Sequence, residues 1–249
     1  MKSALILLSF LFLSFFELII STRNLSGNEE YSSLDDTLKY YKYSGEKLKK
    51  LLKDENIYVI DTRSFEKSAA GYIPNTILCP LSMLSFLYSV VEVGSEVIII
   101  TEIEEKQTVI DEFIELFAYK LLGYSIFSEV VENNNFELQV VEYNPNLNEN
   151  IQEIVDNGEY IIDIRENNEI IQTGYIKQAK LLPLSTFLND YDKIPKNGNV
   201  FIFCRSGARS IIGMTFLKRE GYTNRFVVMK GGMNRVIEEG YPLVKIDKK

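Results

Sequence analysis

Val200-Phe201-Ile202-Phe203-Cys204-Arg205-Ser206-Gly207-Ala208-Arg209-Ser210 reads as a buried apolar strand that delivers a cysteine into a short turn, after which helical periodicity begins at Ile211. A cysteine at the mouth of a helix is chemically distinctive. The thiolate is the nucleophilic form of the side chain. A helix N-terminus, two guanidinium groups and a turn of backbone N–H donors all favour it. Gly207 suits such a turn, because amides that converge on one sulfur need backbone angles that a side chain resists. A lone cysteine behind an apolar strand is ordinarily a packed core residue. Two arginines and a glycine beside it have no use in that role, so the flanks point to a reactive thiol. The chain contains no histidine. Cys-His catalysis by its own side chains is therefore excluded, and activation falls to fixed positive charge and dipoles.

These residues, Cys204-Arg205-Ser206-Gly207-Ala208-Arg209-Ser210, resemble the active-site loop of the rhodanese-like (sulfurtransferase) family. Other segments carry the same resemblance. Tyr160-Ile161-Ile162-Asp163-Ile164-Arg165 is similar to the family's opening strand with its Asp-x-Arg ending, followed by Glu169 and Gly174-Tyr175-Ile176. Gly221-Tyr222, Gly231-Gly232 and Gly240-Tyr241-Pro242 resemble the closing segments. Tyr175 stands where the family usually has histidine, and Val236 where tryptophan is common, so the pocket edge departs from the family pattern. The loop is more similar to those of single-domain persulfide carriers than to those of two-domain thiosulfate and mercaptopyruvate enzymes.

The pattern occurs twice. Ile57-Tyr58-Val59-Ile60-Asp61-Thr62-Arg63 parallels the strand that ends at Arg165. Gly71-Tyr72-Ile73 with Pro80-Leu81-Ser82 parallels Gly174-Tyr175-Ile176 with Pro183-Leu184-Ser185. Aligning Val97-Ile98-Ile99-Ile100 with the strand before the loop puts Thr101 at the position of Cys204. Glu102, Glu104 and Glu105 follow it, and carboxylates there would repel an anionic donor and raise the pKa of any thiol. The resemblance therefore implies an α/β chain with two tandem rhodanese-like domains, each a mainly parallel sheet flanked by helices. Residues 35–140 form a catalytically silent domain and residues 148–249 the catalytic one.

Charge follows that division. Residues 1–147 hold twelve Lys and Arg against twenty-two Asp and Glu, whereas residues 148–249 hold fifteen against thirteen, so the half that would host an anion is the less acidic one. The chain lacks a basic stripe with interleaved aromatics, which argues against nucleic acid as a partner. Its 249 residues, 46% of them hydrophobic, suffice for two ordinary cores. Each half opens with a capped helix, Ser44 to about Lys53 and Asn148 to about Val155, before alternating strands and helices that argue a parallel sheet. Ligands of such sheets bind beyond the carboxyl ends of the strands, which is where Cys204 falls. Turn chemistry from about Glu132 to Asn150 marks an expected linker.

A nearly unbroken apolar stretch from Ala4 to Ile20 follows Met1-Lys2-Ser3, so residues 1–26 read as a secretory signal peptide, with an uncleaved N-terminal anchor as the alternative. Glu17 and the short length weigh against a bilayer span. Either reading puts the protein outside the cytoplasm, periplasmic or secreted; the membrane is a partner only if the segment is retained. The two cysteines give no disulfide framework, and Cys79, in Leu78-Cys79-Pro80, reads as a small core residue. An exposed Cys204 in an oxidising compartment would be open to overoxidation, which makes a reducing protein partner or a persulfide resting state an expectation.

The resemblance implies sulfane-sulfur transfer through a Cys204 persulfide, from a small anionic donor such as thiosulfate or a persulfide to a thiol or cyanide, with no cofactor and no metal. Arg205, Ser206, Gly207, Ala208 and Arg209 would bind the donor and hold the sulfur's charge. Two other readings stay open here. A Cys-dependent phosphatase uses a related fold, but four residues separate Cys204 from Arg209 where such phosphatases have five. A noncatalytic or redox-sensing binding module is the other, and the intact cysteine loop counts against it.

Overall fold

In both halves the strands read as unbroken apolar runs because each faces two apolar layers. Val200 and Ile202 point into a core shared by the halves, whereas Phe201 and Phe203 pack under the second half's own outer helices. Val97 and Ile99 likewise enter the shared core while Ile98 and Ile100 face the first half's outer layer. Alternate side chains of a strand leave opposite faces, so two buried faces require apolar residues at every position.

The structure, a computed structural model, describes residues 34–35, 40–116, 118–144 and 147–246. The candidate targeting segment 1–26 lies outside them. No described helix is long and apolar enough to cross a membrane. The described strands are β1 (Leu34–Asp35), β2 (Tyr40–Lys42), β3 (Ile57–Asp61), β4 (Ile77–Leu78), β5 (Glu96–Thr101), β6 (Lys120–Ile126), β7 (Tyr143–Asn144), β8 (Tyr160–Asp163), β9 (Lys180–Leu181), β10 (Asn199–Phe203) and β11 (Arg225–Met229). They form two sheets, in the orders β1-β2-β6-β5-β3-β4 and β7-β11-β10-β8-β9. All pairings are parallel except β1 with β2. Leaving β1 aside, the orders correspond strand for strand. Asp61 pairs with Ile100 and Asp163 with Phe203, so the residue after each partner, Thr101 or Cys204, occupies the same place in its sheet.

Helices α1 (Gly45–Leu51), α2 (Phe65–Ala70), α3 (Lys106–Glu115), α4 (Phe127–Asn134), α5 (Leu147–Asp156), α6 (Asn167–Thr173), α7 (Phe187–Asp190), α8 (Ala208–Arg219) and α9 (Gly232–Glu238) flank the sheets. Ser44 caps α1 as its sequence suggests, accepting from the Lys47 amide at 3.4 Å. Residues 132–150 are not the linker expected of them. Glu132 to Asn134 close α4, Asn135 ends it in the left-handed conformation that asparagine tolerates, and Tyr143–Asn144 joins the second sheet as β7. The connection is also strapped to the first half, since Tyr72 and Gln139 exchange both backbone hydrogen bonds at 2.9 Å.

The described residues form one compact unit. Helix α8 runs through its centre, with Arg209 through Leu217 all buried. A helix apolar on one stripe covers one surface, and one buried all round must touch two. At Gly213 an added methyl would meet Ile164, Phe187 and Ile202 of the second half. On the first-half side, the Thr215 hydroxyl accepts from the Leu78 amide at 3.1 Å and Arg219 donates to the Glu55 carbonyl at 2.6 Å.

Candidate active site

The cysteine loop leaves β10 at Phe203 and enters α8 at Ala208, three residues before the periodicity at Ile211 becomes visible. Gly207 makes the junction at φ +103° and ψ −21°, a left-handed conformation that turns its N–H onto the Cys204 sulfur at 3.1 Å. The carbonyls that open the loop are occupied elsewhere. Met233 and Asn234 donate to the Cys204 and Arg205 carbonyl oxygens at 2.9 and 3.0 Å. Gly232 permits this approach at φ +54°, where a side-chain carbon would sit 2.4 Å from the Cys204 oxygen. The Gly231-Gly232 pair thus presses α9 against the loop.

Cys204 is 0% exposed. The expectation of an exposed thiol is corrected by this: the sulfur lies below a rim on which Arg205 and Ser206 are exposed and Ala208 half-buried. Arg209, 7% exposed, stands behind the loop in the first turn of α8 and forms a bidentate pair with Glu169, at 2.6 and 2.7 Å. Burial opposes the Arg209 charge, but the Glu169 hydrogen bonds and the neighbouring Cys204 sulfur hold its pKa above the ordinary value. Burial likewise works against the Glu169 carboxylate. The Arg209 hydrogen bonds and the Glu166 amide outweigh it and bring that carboxyl below its usual range. Glu169 is held in turn at the start of α6, where it accepts from the Glu166 amide at 3.0 Å. The Phe86 ring, from the 3₁₀ stretch Leu81–Ser89 of the first half, lies with its centroid 5.6 Å from the Arg209 guanidinium carbon.

Asp163 and Arg165 are structural. Buried Arg165 grips Asp163 at 2.6 Å and donates to the Gly174 carbonyl at 2.8 Å, tying the end of β8 to the end of α6. The first half repeats this arrangement, with Arg63 on Asp61 at 2.7 Å and on the Gly71 carbonyl at 2.8 Å. At its counterpart of the cysteine, Thr101 is buried with its hydroxyl unpartnered, and Glu102 pairs with Lys67 at 3.4 Å. Cys79 is a core residue whose sulfur donates to the Met83 carbonyl at 3.4 Å, and burial pushes its thiol far up, so it stays protonated. Tyr175 forms an antiparallel bridge with Val244, and Val236 is buried beneath the second sheet. Sequence reasoning noted Glu169 without its role and missed Phe86, whose contact depends on how the halves pack and leaves no local signal.

Residues 147–239 match the model of the rhodanese-like domain. A sulfurtransferase of Allochromatium vinosum is 38% identical over 84 residues, which cover 34% of this chain and 77% of that protein. The chain belongs to the rhodanese-like sulfurtransferase family. A rhodanese domain-containing protein of Drosophila melanogaster is 34% identical, over 30% of this chain and 78% of that one. Among solved structures, a rhodanese-related protein of Thermoplasma volcanium covers 38% of this chain and 90% of its own, at 29% identity and a TM-score of 0.33. In this rhodanese-like chain the matched region contains the cysteine loop, Glu169 and the buried Asp163–Arg165 pair.

Proposed function

We propose that this protein transfers sulfane sulfur through a persulfide on Cys204. The observation that carries the reading is the Gly207 N–H on the Cys204 sulfur with the charged Arg209 fixed behind it, in a chain without a histidine base. The Cys204 thiolate attacks the outer sulfur of a donor. A Cys–S–S⁻ bond forms as the donor's own sulfur–sulfur bond breaks, and the bonding pair leaves with sulfite or a thiolate. An acceptor thiolate or cyanide then takes the outer sulfur and returns Cys204 to the thiolate. The loop amides stabilise negative charge in both steps without a proton acceptor. Because Arg209 is engaged by Glu169, exposed Arg205 is the loop's cation for a donor anion, with Ser206 and Ala208 beside it.

We further read residues 35–140 as a silent rhodanese-like copy that scaffolds a catalytic domain of residues 148–249. The matching strand orders and the repeated Asp-x-Arg grip support this. The apolar run from Ala4 to Ile20 supports an extracytoplasmic location. The test is intact mass after incubation with thiosulfate or, separately, a small-molecule persulfide. One sulfur should be added in the wild type and in Cys79→Ala, and none in Cys204→Ser. Sulfur retained by folded Cys204→Ser would overturn the single-nucleophile mechanism.

A further inference from the structure

A donor anion reaches the Cys204 sulfur across the rim of the loop, and most of the charge around that loop is already engaged. Arg209 is held by Glu169, and Arg235 by Glu239 at 2.6 Å. Glu166 receives the Ser185 amide and hydroxyl at 3.1 and 2.6 Å. Arg205 is the exposed cation on the loop itself, and a second one stands on the neighbouring strand. Lys230 is the first residue beyond β11, and the parallel register that pairs Ile202 with Val228 sets Lys230 opposite Cys204 two residues further on. Neighbouring strands lie about 4.8 Å apart, a gap that the flexible four-carbon stem of a lysine bridges. The backbones are close at this place: a carbon added at Gly207 would stand 3.3 Å from the Met229 carbonyl oxygen and 3.8 Å from the Gly231 amide, on either side of Lys230. Lys230 is exposed and has no carboxylate partner among the described residues. The first half has no such cation. There the register pairs Thr101 with Ile126, so a buried isoleucine takes the place of Lys230 in the half where threonine takes that of Cys204.

We propose that Lys230 is a specificity-determining residue that, with Arg205, selects dianionic sulfur donors over monoanionic ones. The inference rests on Cys204 being the sulfur-carrying nucleophile. Thiosulfate brings two negative charges to the rim, whereas a thiosulfonate such as methanethiosulfonate presents the same kind of outer sulfur with one. The bond changes are alike: the Cys204 thiolate attacks the outer sulfur, the Cys–S–S⁻ bond forms, and the donor's sulfur–sulfur bond breaks with its electron pair leaving on sulfite or on a sulfinate. A cation on the rim therefore separates the two donors by charge alone. Because the sulfur lies below the rim, Lys230 acts on the donor as it enters.

The experiment compares kcat/KM for thiosulfate and for methanethiosulfonate on the full chain, with cyanide as the common acceptor. Lys230→Gln should lower it about fivefold for thiosulfate and about twofold for methanethiosulfonate at low salt, because the loss scales with donor charge. That difference should shrink as ionic strength rises. Lys230→Arg should keep the wild-type preference. Equal losses for the two donors, no loss for either, or an arginine variant that falls as far as glutamine would overturn the proposal. Wild-type protein that takes sulfur from neither donor would refute the transfer reading instead. The role of Lys230 is then read from the rates at which anionic iodoacetate and neutral iodoacetamide alkylate Cys204, followed by intact mass. Their ratio cancels the thiol's own reactivity, and Cys79 does not interfere, because burial keeps it protonated. Lys230→Gln should lower the ratio about twofold, and an unchanged ratio would overturn the assignment.

Discussion

Replacing Thr215 by valine removes one oxygen from the centre of the molecule at nearly constant shape. That oxygen accepts from the Leu78 amide at 3.1 Å and donates to the Ile211 carbonyl at 2.9 Å, inside its own helix. In Thr215→Val the Ile211 carbonyl retains its helical partner, whereas the Leu78 N–H, fully buried, is left without one. An orphaned buried donor costs about 1–3 kcal/mol. The extra buried methyl offsets less than about 1 kcal/mol of that. The net loss is about 1–2 kcal/mol, which for a chain of this size lowers the melting temperature by about 2–8 °C. Thr215→Ser keeps the hydroxyl, so it should lose less. Thermal unfolding followed by circular dichroism, with urea titration beside it, measures both. A valine variant as stable as wild type, or a serine variant less stable than valine, would refute the reasoning: the halves would then be joined at this point by apolar contact alone.

Gly232→Ala should remove sulfur uptake while leaving the chain folded, because the new methyl would stand 2.4 Å from the Cys204 carbonyl and drive α9 off the loop; intact mass and circular dichroism together check it. Stability should also fall in acid. The Glu169 carboxyl is held below its ordinary value of 4.5 in the folded protein, so the pair with Arg209 stabilises fully above that pH and is lost as pH falls through the lowered folded value. Glu169→Gln should flatten that part of a plot of urea midpoint against pH.

The parts of the fold legible in the sequence are those written in local patterns. Ile57 to Asp61 and Tyr160 to Asp163 announce their strands, Ser44 its cap and Gly207 the turn at the cysteine. The offset between Gly71-Tyr72-Ile73 and Gly174-Tyr175-Ile176 gives the correspondence that places Thr101 where Cys204 stands. Strand β7 was invisible because two residues carry no periodicity, and the asparagines around it read as coil although Asn135 serves to stop a helix. The burial of Cys204 and the engagement of Arg209 by Glu169 depend on contacts between segments far apart in sequence. So does Phe86. Ile211 to Leu217, apolar on every side but for Thr215, states that α8 is covered all round, but not which elements cover it.

The all-round burial of α8 has a consequence for biosynthesis. Leu78 and Thr215 are 137 residues apart, and a ribosome adding about 5–20 residues per second needs roughly 7–30 s to make the second after the first. During that interval the surface that later receives α8, with Ile77 and Leu78, lacks that helix as its cover. The nascent first half must therefore wait with an apolar wall open to solvent. A chaperone that binds extended apolar chain would find it there, and a translational pause between Leu78 and Thr215 would lengthen the exposure and favour aggregation over yield.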